Sequence, residues 1–413
     1  MKIVGLDVHR SFGQIAILEA GSIRDAGKVA MDRQAVLEFA AKCLKKEDDV
    51  VLEETGNTAI LVKLLSPYVR RVVVANPLQV RAIAHAKVKT DKIDARVLAK
   101  LHASGFLPEV WVADTETERK RRVIAERTQL VRQLTRLKNH VQSILHGNLI
   151  PRYEGKLFTK RGRAWLEKAP LPEDQKRVVA RHLLEHDRLS AELATIERAV
   201  AAEAMQDPNV RRLMTIGGVN AIVAASVLAA VGDISRFSSA EKLVSYFGLN
   251  PRVSQSGDHA AFHGRITKQG RSHARAMLVE AVWSIRAAPG PLRAFFQRVQ
   301  AKKGKQVAAV ATARKLAALM WHMLTKQQDY AWARPALVQW KLRELELKAG
   351  APSRRGGNAK GPASDYSLKA VRDEECRWLG LAEDEYRRFV SAWRDQPPFR
   401  ARTAPKVPGS APG

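Results

Sequence analysis

The sequence predicts a mixed α/β N-terminal domain, a middle of long, coiled-coil-like helices, and a mainly helical C-terminal domain entered through a helix-hairpin-helix-like turn. Short apolar runs that end in acids alternate with helical patterns as far as residue 108, which is the pattern of an α/β domain. Two apolar stripes at near-heptad spacing run through the segment 109–210. Beyond residue 211, strongly apolar helical runs flank loops rich in glycine and basic residues. The expected divisions are therefore 1–108, 109–210, 211–330 and a basic, partly disordered extension over 331–413.

In the first domain, Ile3 to Val8 reads as a buried strand with Asp7 at its end. His9 to Gly13 turns the chain, and Gln14 to Leu18 returns as the second strand of a hairpin. Ala30 to Leu44 reads as a helix with Val36, Leu37 and Ala40 on one face. Asp48 to Glu54 is a short strand with an acidic end, and a helix starts at Gly56 and runs to Leu65. Arg71 to Ala75 is a further strand stopped at Asn76-Pro77, followed by a helix from Leu78 to His85.

The acids share a placement. Asp7 closes one strand, Glu53 or Glu54 closes another, and Asp91 and Asp94 lie three apart in Lys89-Thr90-Asp91-Lys92-Ile93-Asp94-Ala95. On a helix that spacing puts both carboxylates on one face. Ligand groups in α/β sheets gather beyond the carboxyl ends of strands. Converging carboxylates there suit two hard divalent cations, which position a water and stabilise the leaving oxygen at a phosphate. Taken singly, such acids also serve as caps and solvated helix turns. Alternation along the strand sends one of Glu53 and Glu54 toward the site without saying which.

In the middle, Glu116 to Leu145 reads as one long basic helix. Leu130, Leu134, Leu137, Val141 and Ile144 form its stripe, and Arg121, Arg122, Arg127, Arg132, Arg136 and Lys138 decorate it. After a link containing Pro151, Pro170 and Pro172, a second run covers Glu173 to Met205 with Leu189, Leu193, Ile196 and Val200. The two runs fold back as an antiparallel hairpin or pair between subunits. Either arrangement suits an arm that touches nucleic acid and mediates assembly.

Past Arg211, Gly217-Gly218 precedes the apolar helix Ala221 to Val231. This is the place for a helix-hairpin-helix turn that offers backbone N–H groups to a phosphate. From Arg252 to Arg271 the chain is polar, glycine-punctuated and basic, and it carries Ser254 and Ser256. Loops on a rigid scaffold often hold chemistry, and a serine helped by a base or cation attacks phosphate. Arg265, Lys268 and Arg271 recur three apart, a spacing fit to line one edge and meet phosphates. Ala276 to Trp283 and Val307 to Met323 read as core helices. In the tail, helices are expected over Trp332 to Lys348 and Leu368 to Trp393, joined by a Gly/Pro/Ser-rich basic linker, with Pro397 to Gly413 disordered.

Bulk composition narrows the partners. Seventy Lys and Arg against 42 Asp and Glu give the 413-residue chain a formal charge of +28, which attracts polyanions. No long amphipathic basic segment with aromatic flanks and no membrane-length apolar run points to a membrane. The two cysteines, Cys43 and Cys376, make no disulfide framework. With no signal-peptide pattern at the start, a cytoplasmic, nucleoid-associated protein is expected.

Several pieces in order resemble the insertion-sequence transposases of the IS110 family, also called DEDD transposases or bridge-RNA-guided recombinases. They are Gly5-Leu6-Asp7-Val8-His9, Leu52-Glu53-Glu54-Thr55-Gly56, Lys89 to Ala95, the Gly217-Gly218 turn, Gly232-Asp233 with Phe237, Tyr246-Phe247-Gly248-Leu249, Ser256-Gly257 and Gly264 to Gly270. The resemblance covers Met1 to Met323 and implies an RNase H-like (RuvC-like) first domain. The family pattern of Glu, a small residue, Thr and Gly selects Glu53. Gly217-Gly218-Val219-Asn220 departs from the usual Pro-Gly-Ile-Gly. Gly5-Leu6-Asp7-Val8 also resembles the opening of sugar-kinase and actin-like ATPases, but their further phosphate and adenosine loops are not evident.

The resemblance implies a Mg²⁺ site (Mn²⁺ as substitute) of Asp7, Glu53, Asp91 and Asp94, and a nucleophilic serine in the second domain. That serine is Ser256, with Ser254 as the fallback. It implies a covalent 5′-phosphoserine link to DNA, a structured bridge RNA that pairs with the double-stranded DNA of element ends and target, and a homo-oligomer from dimer to tetramer. The competing readings are a metal-dependent nuclease that resolves branched DNA with the acids alone, and a noncatalytic nucleic-acid scaffold.

Overall fold

β1 (Ile3–Val8) is buried along its whole length and is the middle strand of a five-stranded sheet. The computed structural model describes residues 1–84, 90–257, 261–352 and 362–395. His85, Lys89, most of the tail linker and the segment 397–413 lie outside the described residues. The chain separates into two compact units, Met1–Thr115 and Glu116–Gly413.

In the first unit the elements follow as β1, β2 (Phe12–Glu19), β3 (Ser22–Ala30), α1 (Arg33–Cys43), β4 (Asp49–Glu53), α2 (Thr58–Leu65), β5 (Arg71–Ala75), α3 (Pro77–Ile83) and α4 (Asp91–Ala103). The sheet order is β3-β2-β1-β4-β5. β1 pairs antiparallel with β2 and parallel with β4, and β5 runs parallel to β4. This mixed topology is consistent with an RNase H-like domain. β3 corrects the expected two-stranded hairpin. It is an edge strand with only Val29 buried, so its sequence lacks the apolar alternation that marks a strand. It also displaces the start of α1 to Arg33, where Asp32 caps the helix by accepting from the Ala35 N–H at 2.9 Å.

Alternation divides the sheet between two layers. Val4, Leu6, Val50 and Leu52 pack with α1 and α2, whereas Ile3, Val51 and Val73 pack with α3 and α4. Gly5 lies on the α4 side, where a Cβ would come 2.0 Å from the carbonyl oxygen of Ala95. Only a residue without a side chain lets α4 approach this closely. Gly5→Ala is therefore expected to cost about 3 kcal/mol, the upper end for overpacking. Chemical denaturation measures this, and a change below about 0.5 kcal/mol, the scale of a neutral surface substitution, would contradict the close packing.

The second unit begins with α5 (Thr115–Gly147, its first residue belonging to the first unit), α6 (Lys160–Lys168) and α7 (Glu173–Gln206). α5 and α7 pair antiparallel within the chain. Ile124 meets Val200, Leu130 and Leu134 meet Leu189, and Val141 and Leu145 cluster with Val179. Arg127 Nε donates to Glu197 at 2.9 Å and Arg119 to Glu203 at 2.7 Å, holding the same register.

Then follow α8 (Pro208–Met214), α9 (Ala221–Val231), α10 (Ala240–Tyr246), β6 (Pro251–Ser254), β7 (Phe262–Ile266), α11 (Ser272–Ile285), α12 (Pro291–Lys303), α13 (Lys305–Lys326), α14 (Pro335–Lys348) and α15 (Lys369–Asp395). The sequence reading has no counterpart of α12, which Pro291 opens directly after Gly290. The main core joins α9, α11 and α13 through Val227, Leu278, Leu316 and Met320, and Leu345 of α14 enters it. Lys341 of α14 is buried, and its Nζ donates to the carbonyls of Met214, Ile216 and Val219 at 2.8, 2.7 and 2.9 Å. Burial and the nearby Arg334 push this ammonium down to about 7, while three carbonyl acceptors favour its charged form. Among the described residues, no helix is long and apolar enough to cross a membrane.

Candidate metal centre and serine ribbon

The acid site is built where β1 ends beside the N-terminus of α4. Asp7 is 9% exposed and Asp91 opens α4. Thr90 caps that helix by accepting from the Ile93 N–H at 3.4 Å, which sets the first turn carrying Asp91 and Asp94. The helix is then tied to the sheet at two points. Arg96 donates bidentately to Asp25 of β3 at 2.7 Å for each bond. His102 meets Asp49 of β4 at 2.8 Å. Burial pushes the Asp49 carboxyl up, but hydrogen bonds from Arg70 and His102 outweigh it and hold the group below its ordinary range.

His9 joins the acids. Its Nε2 lies 3.1 Å from Asp7 Oδ2 and 3.3 Å from Asp91 Oδ1. Ligand atoms of Asp7, His9 and Asp91 all fall within 4.8 Å of one another. Among the described residues, Glu53 and Asp94 are not in that tight group. Asp94 follows one turn behind Asp91, and its charge is felt at Asp7. Glu53 ends β4, one residue past the last parallel pair with β1, Leu6↔Leu52. It shares the face of Val51, the α4 side, whereas Glu54 lies past the strand end and is exposed.

Sequence reasoning treated His9 as a turn residue. The available signal was its i,i+2 spacing from Asp7 at a strand end, which becomes meaningful only once α4 brings Asp91 to the same place.

The electrostatics suit a cation. Burial raises the Asp7 carboxyl first, and the Asp94 and Asp91 charges raise it further, against an opposing contribution from His9. Because the folded form holds its proton more tightly than the unfolded chain, this group favours folding at low pH. Its contribution is lost as pH rises above 3.8 through the raised folded value. Asp7→Asn removes that penalty, so the metal-free variant is expected to melt higher at pH 7 than the wild type. The same variant should lose the stabilisation by millimolar Mg²⁺ or Mn²⁺ expected of the wild type. Identical melting of wild type and variant, with and without the ions, would remove the case for a metal centre.

In the second unit, β6 and β7 form a two-stranded antiparallel ribbon inside the stretch read as a loop. Ser254 pairs with Phe262 at its far end, and Ser256 lies beyond the last pair, next to Gly257. Both serines are exposed, as are Arg252, Val253, Phe262, Arg265 and Lys268. Among the described residues, no base hydrogen-bonds to Ser256. At the ribbon's base, Thr267 N–H donates to the Asn250 carbonyl at 2.9 Å, and Arg271 N–H to Tyr246 at 3.1 Å.

The basic residues divide by role. Arg271 does not share an edge with Arg265 and Lys268, because its Nε donates to the Tyr246 hydroxyl at 2.8 Å. Three-apart spacing groups side chains on a helix, but these residues occupy a strand, a turn and a helix cap. Arg121 likewise turns inward to the Ala229 carbonyl at 3.0 Å. Arg122, Arg132, Arg136 and Lys138 of α5 are exposed. At the Gly217-Gly218 turn, a Cβ on Gly218 would meet the Ala281 carbonyl oxygen of α11 at 2.6 Å. That glycine serves close helix packing, which leaves a phosphate-binding role for the turn unsupported by this contact.

Comparison with known proteins matches two stretches of the chain. A family model described as Transposase, of the DEDD type, matches residues 4–149, and one described as Transposase IS116/IS110/IS902 family matches residues 210–297. A putative transposase of Sinorhizobium fredii is 30% identical over 296 residues, which cover 69% of this chain and 72% of that relative. A probable family 20 transposase of Pseudomonas aeruginosa is 26% identical over 68% of this chain and 80% of its own length. The transposase for insertion sequence element IS1111A of Coxiella burnetii is 24% identical over 80% of this chain and 91% of its own. With both models matched in order and a relative of this identity covered over most of its length, the chain belongs to the IS116/IS110/IS902 family of transposases.

Proposed function

We propose that this transposase cuts and rejoins DNA through a covalent serine intermediate, assisted by a divalent-metal site of Asp7, Glu53, Asp91 and Asp94. The observation that carries the metal site is the convergence of Asp7, His9 and Asp91 ligand atoms within 4.8 Å. The donor set fits Mg²⁺ through its carboxylates, and the imidazole of His9 makes Mn²⁺ an equally good occupant. When bound, the ion supplies Lewis-acid stabilisation of charge on a phosphate.

The chain's own residues do the rest. The carboxylates would hold the ion. Ser256 Oγ attacks phosphorus, forming the Oγ–P bond as P–O3′ breaks. The serine proton passes to a base or water, and the departing O3′ leaves as a 3′-hydroxyl once protonated. Retaining a phosphoester bond lets rejoining proceed without ATP. The exposed Arg122, Arg132 and Arg136 share one side of α5 and offer a basic stripe to a nucleic-acid backbone. A structured guide RNA belongs to this reading through the family resemblance, and the +28 charge suits two polyanionic partners.

One observation favours a second reading. The Asp7, His9 and Asp91 ligand group comes together without any serine, which suits hydrolysis of branched DNA by the acids alone. Trapping on a suicide DNA substrate, with Mg²⁺ and the element's own RNA, separates the two. A protein–DNA adduct that maps to the Ser254–Gly257 peptide supports the serine pathway. Cleavage with no adduct supports hydrolysis, and binding with neither supports a scaffold.

A further inference from the structure

Trp332 lines a cavity of about 500 Å³ in the second unit, between α10, α12, α13 and α15. It is 46% exposed, yet the loop that carries it, between α13 and α14, is tied down. The Tyr330 N–H donates to Thr215 Oγ1 at 3.0 Å, the Ala333 N–H to the Tyr330 carbonyl at 3.0 Å, and Arg334 Nε to Glu375 at 3.0 Å. A large aromatic side chain is thus held in place with much of its surface in water. Pro291 of α12 and Ala318 and Leu319 of α13 give the cavity apolar walls, and Tyr386 of α15 closes another side. A second cavity of about 360 Å³ adjoins the first, since Leu292, Tyr330 and Trp332 line both.

Charge selects the occupant. Arg314, Lys315 and His322, all exposed, line the larger cavity. Lys315 Nζ and Arg298 Cζ lie 5.5 and 5.2 Å from the centre of the Phe295 ring, so this aromatic holds cations in place rather than receiving a ligand ring. Arg298 also donates to the Tyr386 hydroxyl at 3.4 Å. Glu241 is the one acid lining the cavity among the described residues. A hydrogen bond from Ser239, with the charges of His322 and Arg314, holds its carboxyl below the ordinary range. An exposed indole, apolar walls and a basic rim fit a ligand with a flat ring at one end and an anion at the other. An unpaired nucleotide has this chemistry. A nucleotide inside a duplex does not, because its neighbours in the stack cover both faces of its base. An apolar peptide or a second copy of the chain laid here would bury the Arg314 and Lys315 charges without partners.

We propose that this cavity binds one unpaired nucleotide of a single-stranded segment, with its base stacked on Trp332 and its phosphate met by Arg314 and Lys315. The volume lies in the range of pockets that enclose small ligands. The adjoining cavity gives the strand room to continue past Trp332, which suits a polymer better than a free nucleotide. Single-stranded RNA and single-stranded DNA share this chemistry. The site owes nothing to the acids or the serines, so it stands or falls apart from the metal and serine pathway.

Fluorescence anisotropy with the full chain tests this without divalent ions, on end-labelled single-stranded DNA, single-stranded RNA and duplex DNA of equal length. Trp332→Ala is expected to weaken single-strand binding about tenfold, the scale of losing one stacked base, and to leave duplex binding within about twofold. Trp332→Phe should keep most of the affinity, and so should Phe389→Ala, which removes an exposed aromatic outside the cavity. Arg314→Gln/Lys315→Gln should flatten the salt dependence of single-strand binding by about one unit of log–log slope. All substituted side chains are exposed, and equal helical circular dichroism verifies that each variant folds. Single strands carrying 5-iodouracil should photocrosslink to the loop 327–334. The strand, RNA or DNA, that loses more affinity in Trp332→Ala is the source of the nucleotide, and equal losses assign the site to base and phosphate alone. Unchanged single-strand affinity in Trp332→Ala, an equal loss on the duplex, or crosslinks confined to other segments overturns the proposal.

Discussion

Asp7→Asn and Asp91→Asn are each expected to reduce Mg²⁺-dependent strand cleavage by about three orders of magnitude or more. Each removes one anionic ligand from a set whose ligand atoms lie within 4.8 Å. A factor of a thousand corresponds to about 4 kcal/mol of transition-state stabilisation, within the several kcal/mol that a bound divalent ion contributes at a phosphate. DNA affinity should hold or rise slightly, because these substitutions delete negative charge from a chain that binds through its positive charge. His9→Ala should cost less, about 10–100-fold, the usual loss when a supporting contact to a ligand is removed. Cleavage assays beside fluorescence-anisotropy binding separate these outcomes. Wild-type cleavage in both aspartate variants would end the assignment.

The second large effect concerns the ribbon. Ser256→Ala is expected to abolish the covalent adduct and to lower strand exchange by about 10⁴-fold or more, the scale of losing a nucleophile. Ser254→Ala should retain the adduct. Ser254 sits in the last ladder pair, opposite Phe262. Ser256 stands beyond that ladder beside Gly257, whose φ of 56° turns the chain at the ribbon tip. Denaturing electrophoresis with end-labelled DNA reads the adduct, and peptide mapping locates it. An adduct at residue 254 exchanges the roles, while wild-type cleavage in Ser256→Ala leaves the acids acting alone.

These residues were legible in the sequence to different degrees. Asp91 and Asp94 stood out because three-apart acids on a helix share a face, and α4 begins at Asp91. β4 and β5 were readable as short apolar runs, and α5, α7 and α9 as periodic helices, with ends within about two residues. β3 was not, because an edge strand buries too little to need an apolar pattern. The ribbon of β6 and β7 was hidden for the same reason, its side chains being largely exposed. Lys341 gave no signal either, since a charged residue on a polar-looking helix is solvated unless distant backbone reaches it. Here Lys341 meets carbonyls more than 120 residues away in sequence.

The sequence by itself determined the family, the order of its motifs, the helical periodicities and the polyanion-seeking charge. These depend on residues near one another in the chain, or on sums over all of them. Tertiary structure alone decided that His9 bridges Asp7 and Asp91, and that α5 pairs with α7 within one chain. It also turned Arg121 and Arg271 inward and left Trp332 exposed beside a cavity. Each of these outcomes is a contact, or a missing contact, between segments far apart in sequence. Such contacts are set by packing between layers, through the close approach at Gly5 and the ties from Arg96 and His102, and local pattern carries no record of them.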